Sequence, residues 1–425
     1  MKTKFLLAAI LLLSAIGATA QTPEFKTLLT KAQAGDVEAQ KKTAYAYKTG
    51  EGVEKDAEKA FYWYSKAALR DDAEAMGMLG VAYLDGTGVE ADFDKGIEWR
   101  TRAAEKGYVW AQSDLGMDYF FGIKYKAGKF LQDYDKAFFW FLKAAEQPAV
   151  PEKWTNAQGQ AMYFLGNCYL DGYGVEPDAR TAFEWYGKAA ELGDANAQSM
   201  MGDYYRDGKD GMVEPDVRAA FEWYSKAAEQ DAVYAQSVMG DYYSGQIELL
   251  EPDMEQALEW YRKAANMGNS YAQFRLGYIY GEGDGVSPDF KKAVYWYRKA
   301  ADNGDETAMF NLGLCYLKGK GVEKDERKYI EYMRKAAEQG YADAQFNLGN
   351  AYVKGECGLA VDYGKAVEWY RKAAEQEYVG AMNNLGLCYY NGQGVPRNLS
   401  EAKRWLQQAA AQGDEKAKNN LKNLF

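Results

Sequence analysis

Apolar residues recur along this chain on two periods at once. Over short segments they follow helical spacing. Ala381, Leu385, Cys388 and Tyr389 stand at i, i+4, i+7 and i+8, which puts them on one helix face. Ala366, Trp369, Tyr370, Ala373 and Ala374 form a second stripe of the same kind. The two kinds of segment alternate as a helix A and a helix B, joined by turns such as "DGTGVEAD" (85–92), "KGKGVEKD" (318–325) and "NGQGVPRN" (391–398). The turn glycines are suited to the positive φ that ends helix A. The closing Asp or Asn is placed to cap helix B.

The longer period is set by Ala-x-x-x-(Leu/Met)-Gly-x-x-Tyr. Its glycines are Gly80, Gly116, Gly166, Gly202, Gly240, Gly277, Gly313, Gly349 and Gly386, with Ala44 in the same slot of a degenerate first copy. Ten copies at a period of roughly 36 residues predict a helical repeat array. Gly inside a helix costs about 1 kcal/mol relative to Ala, so its recurrence asks for a packing reason. The expectation is that the bare surface at Gly386 admits the Ala pair of a neighbouring helix B, while Trp and Tyr fill wider gaps. No hairpin of this size buries its own apolar stripes, so the copies must stack.

Written out, the repeated phrase is "A…NLG..Y..G.GV..D..KA..WY.KAA..G". It resembles the Sel-one-like repeat, a relative of the tetratricopeptide repeat, over residues 39–413. The resemblance implies an all-α, right-handed α/α superhelix (solenoid) of about ten helix-turn-helix repeats, with helices A lining a concave face. It also implies an adaptor that holds other proteins. Residues 21–38 read as an N-terminal capping helix and residues 414–425 as a polar C-terminal one. Copy three departs from the pattern. Its inner turn (122–133) is long and carries Lys124, Lys126 and Lys129, and its exit (146–160), with Pro148, Pro151 and Trp154, reads as a second inserted loop.

Polar residues recur in two helix-A slots. Asn311, Asn347 and Asn384 lie two residues before the Gly, with Arg275 as the basic residue of that slot. Asn167, Asp203, Asp241 and Asn350 lie one residue after it. The slots are three apart and share a helix face, so stacked copies make a polar ladder. An Asn amide both donates and accepts, which suits an extended peptide backbone. Bonding between adjacent helices would use the same groups equally well.

Composition narrows the chemistry. Histidine is absent, which removes the usual neutral-pH base, the usual zinc ligand and every His-containing triad. A net charge of −11 disfavours nucleic acid and anionic membrane as partners. Residues 1–20, "MKTKFLLAAILLLSAIGATA", have the charged end, short apolar core and small-x-small close of a secretory signal. They predict export to the periplasm or beyond the cell, with no membrane span in the mature chain.

Cys168, Cys315 and Cys388 share one repeat position and read as small core residues; only Cys357, a loop residue one copy before Cys388, is placed for a partner. "SEAK" (400–403) and "KTG" (48–50) match fragments of penicillin-recognising serine enzymes, but in reversed order and without the Ser-Asp-Asn between them. Some secreted members of the resembled family are associated with cell-wall precursors or β-lactams, so a serine enzyme or peptidoglycan sensor built on Ser400 stands as an alternative. A purely mechanical spacer is a third reading. The main expectation is a non-enzymatic exported scaffold without cofactor or metal, binding other proteins or an extended peptide.

Overall fold

The structure, a computed structural model, describes residues 21–122, 132–148 and 150–425. The leader predicted over residues 1–20 and the lysines Lys124, Lys126 and Lys129 lie outside them. Among the described residues there are 22 α-helices and no strand. The chain divides into two compact units, residues 1–223 and 224–425.

In the first unit the A helices are Val37–Thr49, Ala73–Asp85, Val109–Phe121, Thr155–Asp171 and Ala195–Asp207. The B helices are Pro23–Gln33, Ala57–Ala68, Phe93–Glu105, Tyr134–Ala145 and Ala179–Glu191, and a further B helix, Val217–Glu229, contains the point of division. In the second unit the A helices are Val233–Tyr243, Ser270–Glu282, Glu306–Lys318, Ala342–Lys354, Val379–Asn391 and Glu415–Leu424. They alternate with the B helices Met254–Asn266, Phe290–Asp302, Glu326–Glu338, Tyr363–Glu375 and Leu399–Ala411. Within each unit the helices pack on their neighbours in sequence, from Pro23–Gln33 to Ala195–Asp207 and from Val233–Tyr243 to Glu415–Leu424, the stacking that the repeat pattern predicts.

The turns form as their residues dictate. Asp325 accepts from Lys328 N and Asp362 from Lys365 N, each capping a B helix. Gly319 ends its A helix at φ 66°. Two residues on, Gly321 serves close approach: a Cβ there would lie 2.1 Å from the carbonyl oxygen of Phe290, at the start of the preceding B helix. The turn of one copy thereby rests on the hairpin before it.

The helix-A Gly does not receive the neighbouring Ala pair, as expected from sequence. It receives the side chain at the last position of its own hairpin's "EWY" phrase, a Tyr ring at Gly166, Gly240, Gly277 and Gly349 and Leu406 at Gly386. A Cβ at Gly166 would meet Tyr186 at 2.5 Å, at Gly277 Tyr297 at 2.5 Å and at Gly349 Tyr370 at 2.6 Å. The ring is wide and flat, so it needs the deeper notch that only Gly leaves. The Ala pairs, such as Ala373 and Ala374, are buried against the stack instead. Tyr186 and Tyr261 have no exposed surface, whereas Trp185 and Trp260 are half-buried and lie under the amines of Lys188 and Lys263.

A buried Gln four residues before the Gly ties successive hairpins together. Gln273 Nε2 donates to the Ala265 carbonyl at 2.9 Å and Gln345 Nε2 to that of Ala337 at 3.0 Å, satisfying the end of the previous B helix. Replacing Gln345 by Leu is expected to cost about 1–3 kcal/mol, because the Ala337 carbonyl loses its side-chain partner in a site closed to water. Hydrogen exchange should show faster opening of the 326–354 helix pair; unchanged protection would refute it.

All four cysteines are free, Cys357 half-buried and the others buried. Burial pushes the Cys168 thiol up to about 12 and that of Cys388 to about 11, as fits inert core residues. The copy-three exit is shorter than expected. A 3-10 turn at Glu152–Trp154 runs into a helix that begins at Thr155, so 155–160 is helical rather than loop.

Candidate functional site

The two polar slots of helix A take different roles. In the slot after the Gly, the amide or carboxylate catches the hydroxyl of the Tyr that fills the notch. Tyr186 donates to Asn167 Oδ1 at 2.7 Å, Tyr261 to Asp241 Oδ1 at 2.6 Å and Tyr370 to Asn350 Oδ1 at 2.6 Å. Asp241 also accepts from Tyr271 in the next A helix, at 2.8 Å. In three copies an apolar slot goes with an apolar side chain in the notch, Met117 with Phe141, Leu314 with Met333 and Leu387 with Leu406, whereas beside Val81 the notch position is held by Arg100. Buried hydroxyls require partners, which the Asn or Asp supplies to Tyr186, Tyr261 and Tyr370. Asp203 pairs with Arg206 at 3.2 Å.

The slot before the Gly is less committed. Asn311 donates to the Thr307 carbonyl and Asn347 to that of Asp343, both at 2.9 Å within their own helices. Both side chains are half-buried, and among the described residues neither Oδ1 accepts a hydrogen bond. Asn384 bridges copies nine and ten, donating to Asn350 Oδ1 at 3.2 Å. Arg275 is buried, bonded through Nη1 to Gln246 Oε1 at 3.0 Å and set against the rings of Tyr261 and Tyr278. The structure thus brings Asn350 and Asn384 into direct contact, places Asn311 and Asn347 one copy apart in an equivalent position, closes Asn167 into its own hairpin and ties Asp241 both to its own hairpin and to the next A helix.

Ser400 is exposed beside the cap of its helix, and its hydroxyl makes no hydrogen bond among the described residues. The Lys403 amine sits over the Phe425 ring, 5.6 Å from its centroid, so no base is directed at the serine.

A charged cluster in the first unit was missed from the sequence. Arg100 occupies the "EWY" Tyr position and is 7 % exposed. It bonds to Asp118 and lies 3.6 Å from Asp114, both on the helix Val109–Phe121. Burial, with the Asp118 charge adding and Arg100 opposing, pushes the Asp114 carboxyl up to about 6. Burial likewise raises Asp118. The signal was present: "EWR" breaks the "EWY" phrase, and Asp114 stands in the slot of Asn311.

The copy-three exit also does something no periodicity announces. Lys153 Nζ reaches back to Glu74 Oε1 at 3.0 Å, and Trp154 meets the Tyr108 ring edge-on with centroids 5.1 Å apart. Lys41 joins the same Glu74 at 3.1 Å, along with Glu38 and Asp72. Burial raises the Glu74 carboxyl, but the two lysines outweigh it and hold Glu74 below its ordinary value.

Against this geometry, the family model described as the Sel1 repeat matches ten segments: residues 37–72, 73–108, 111–148, 159–194, 195–231, 233–269, 270–305, 307–341, 342–378 and 379–414. The chain belongs to the Sel1 repeat family. Among solved structures it is similar to c5321, a protective antigen present in uropathogenic Escherichia coli strains that displays an SLR fold. That match has 32 % identity, covers 94 % of this chain and 90 % of that one, and has a TM-score of 0.74. It is also similar to a Sel1 repeat protein from Oxalobacter formigenes, with 27 % identity, 81 % and 93 % coverage, and a TM-score of 0.56. No curated protein gives a significant match. Sel1 repeat proteins generally mediate protein–protein interaction as scaffolds, and the repeat is a non-catalytic one. Among the described residues of this Sel1 repeat chain, no helix is long and apolar enough to cross a membrane.

Proposed function

We propose that this Sel1 repeat protein is an exported, non-enzymatic scaffold that holds a partner protein, as an extended segment, along its A-helix face. The observation that carries the reading is the free Oδ1 of Asn311 and of Asn347, repeated one copy apart and half-buried. Each is an acceptor for a partner's backbone N–H, and neither is needed to hold its own hairpin closed. Phe310 and Phe346, one residue earlier and half-buried, supply apolar surface beside each amide. Export is supported by the signal-like character of residues 1–20. The acidic charge of the chain favours a partner that is neutral or basic.

Changing Asn311, Asn347 and Asn384 together to Ala is expected to weaken capture of the partner from envelope extracts, with little change in the thermal melt. Photo-crosslinks introduced at position 347 should reach the partner, and those at exposed Glu331 on a B helix should not. Capture that survives the triple change but is abolished by a B-helix patch would place the binding face elsewhere.

A further inference from the structure

The first unit contains an open cleft of about 780 Å³ where Lys153 and Trp154 fold back onto the first two copies. Its walls are Phe25, Leu28, Tyr45, Tyr64 and Trp154. Tyr45 is 54 % exposed, an aromatic face turned to solvent. Four carboxylates line the cleft, Glu24, Glu38, Glu51 and Glu74, against three amines, Lys41, Lys42 and Lys153.

The amines are already engaged. Lys41 is shared by Glu38, Asp72 and Glu74; Lys153 holds Glu74; and Lys42 lies 3.8 Å from Glu38. Glu24 and Glu51 are exposed at the rim and, among the described residues, have no ion-pair partner. What remains open is therefore negative charge beside aromatic rings. That combination attracts a cation, because ring quadrupole and carboxylate act with the same sign. The chain itself illustrates the chemistry: the Lys153 amine sits 4.6 Å from the centroid of the Trp154 ring while paired to Glu74.

We propose that this cleft receives an Arg or Lys side chain from a basic, extended segment of a partner protein, with Glu24 and Glu51 taking the charge and Tyr45 the aliphatic stem. An anionic segment would meet surplus carboxylate, since Asp72 also draws on Lys41. This inference shares with the proposed function only the assumption that the occupant is protein, and it concerns residues in a different unit from Asn311 and Asn347.

The test uses the full chain and a fluorophore-labelled, acetylated and amidated peptide, Gly-Arg-Ala-Arg-Gly, followed by fluorescence anisotropy. Matched peptides carry Gln or Glu at both Arg positions. Saturable, roughly millimolar or tighter binding of the Arg peptide is expected. It should weaken with added salt and be lost in the Gln and Glu peptides. The Glu24→Gln/Glu51→Gln protein should bind about tenfold more weakly, with an unchanged circular dichroism melt. The Asn311/Asn347/Asn384 triple variant should bind the Arg peptide normally, which separates this site from the ladder. Equal binding of the Gln peptide, unchanged affinity in the double variant, or no saturation at millimolar peptide would each overturn the proposal.

Discussion

Arg100→Met should destabilise the first unit by about 2–4 kcal/mol at pH 7, because it leaves two largely buried carboxylates without their cation. Met keeps most of the side-chain volume, so lost packing contributes little. Acid should relieve the effect, since protonated Asp114 and Asp118 no longer need a counter-charge. The unaltered protein carries the same signature in weaker form. Asp114 sits at about 6 when folded and near 3.8 when unfolded, so the folded state binds more proton between those values. Stability from this group is therefore fully present below about pH 4, falls as pH rises towards 6, and is level above that.

Asp114→Asn should remove that slope and raise stability at pH 7 by roughly 1–3 kcal/mol. Hydrogen exchange over residues 73–121, measured from pH 4 to 8, reads both variants without assuming that a repeat array unfolds in one step. An Arg100→Met protein with wild-type protection at pH 7 would refute the buried-charge account. Repair of the variant by Asp114→Asn with Asp118→Ala would support it, since no charge is then left to compensate.

Gly240→Val is expected to cost about 2–4 kcal/mol, the second large effect. A Cβ at Gly240 would stand 2.5 Å from the ring of Tyr261, a fully buried residue whose hydroxyl is held by Asp241. The ring cannot retreat without breaking that bond, so overpacking by roughly 1–3 kcal/mol adds to the β-branch penalty. Gly240→Ala sets the same clash against a helix-propensity gain of about 1 kcal/mol and should be the milder change. Pairing Gly240→Ala with Tyr261→Leu should recover more stability than independent effects allow, a coupling that a double-mutant cycle measures. A cycle that closes additively would mean that the ring and the Gly do not meet.

How far the sequence reaches can be followed residue by residue. The glycines from Gly80 to Gly386, with Ala44 in the first slot, set the number of copies, and the spacing of Ala381, Leu385 and Cys388 sets the buried face of helix A. Both are local periodicities, and a helix of 3.6 residues per turn converts them directly into geometry. The candidate residues were legible as a recurring pattern but not as a division of labour. Asn350 and Asn347 look alike on paper, yet one holds Tyr370 and the other keeps an acceptor free.

What the sequence settled by itself, then, is the repeat, its helical halves, its caps and its turns, because each follows from contacts within a few residues. The tertiary structure decided which side chain enters each notch: one from the same hairpin, most often its Tyr, instead of the neighbouring Ala pair. It also decided that Arg100 faces Asp114 and Asp118, and that Lys153 returns to Glu74 across 79 residues. The reason is physical. Amphipathic spacing specifies that a face is buried, whereas the identity of its neighbour depends on how ring width, side-chain volume and charge fit together once the copies are stacked.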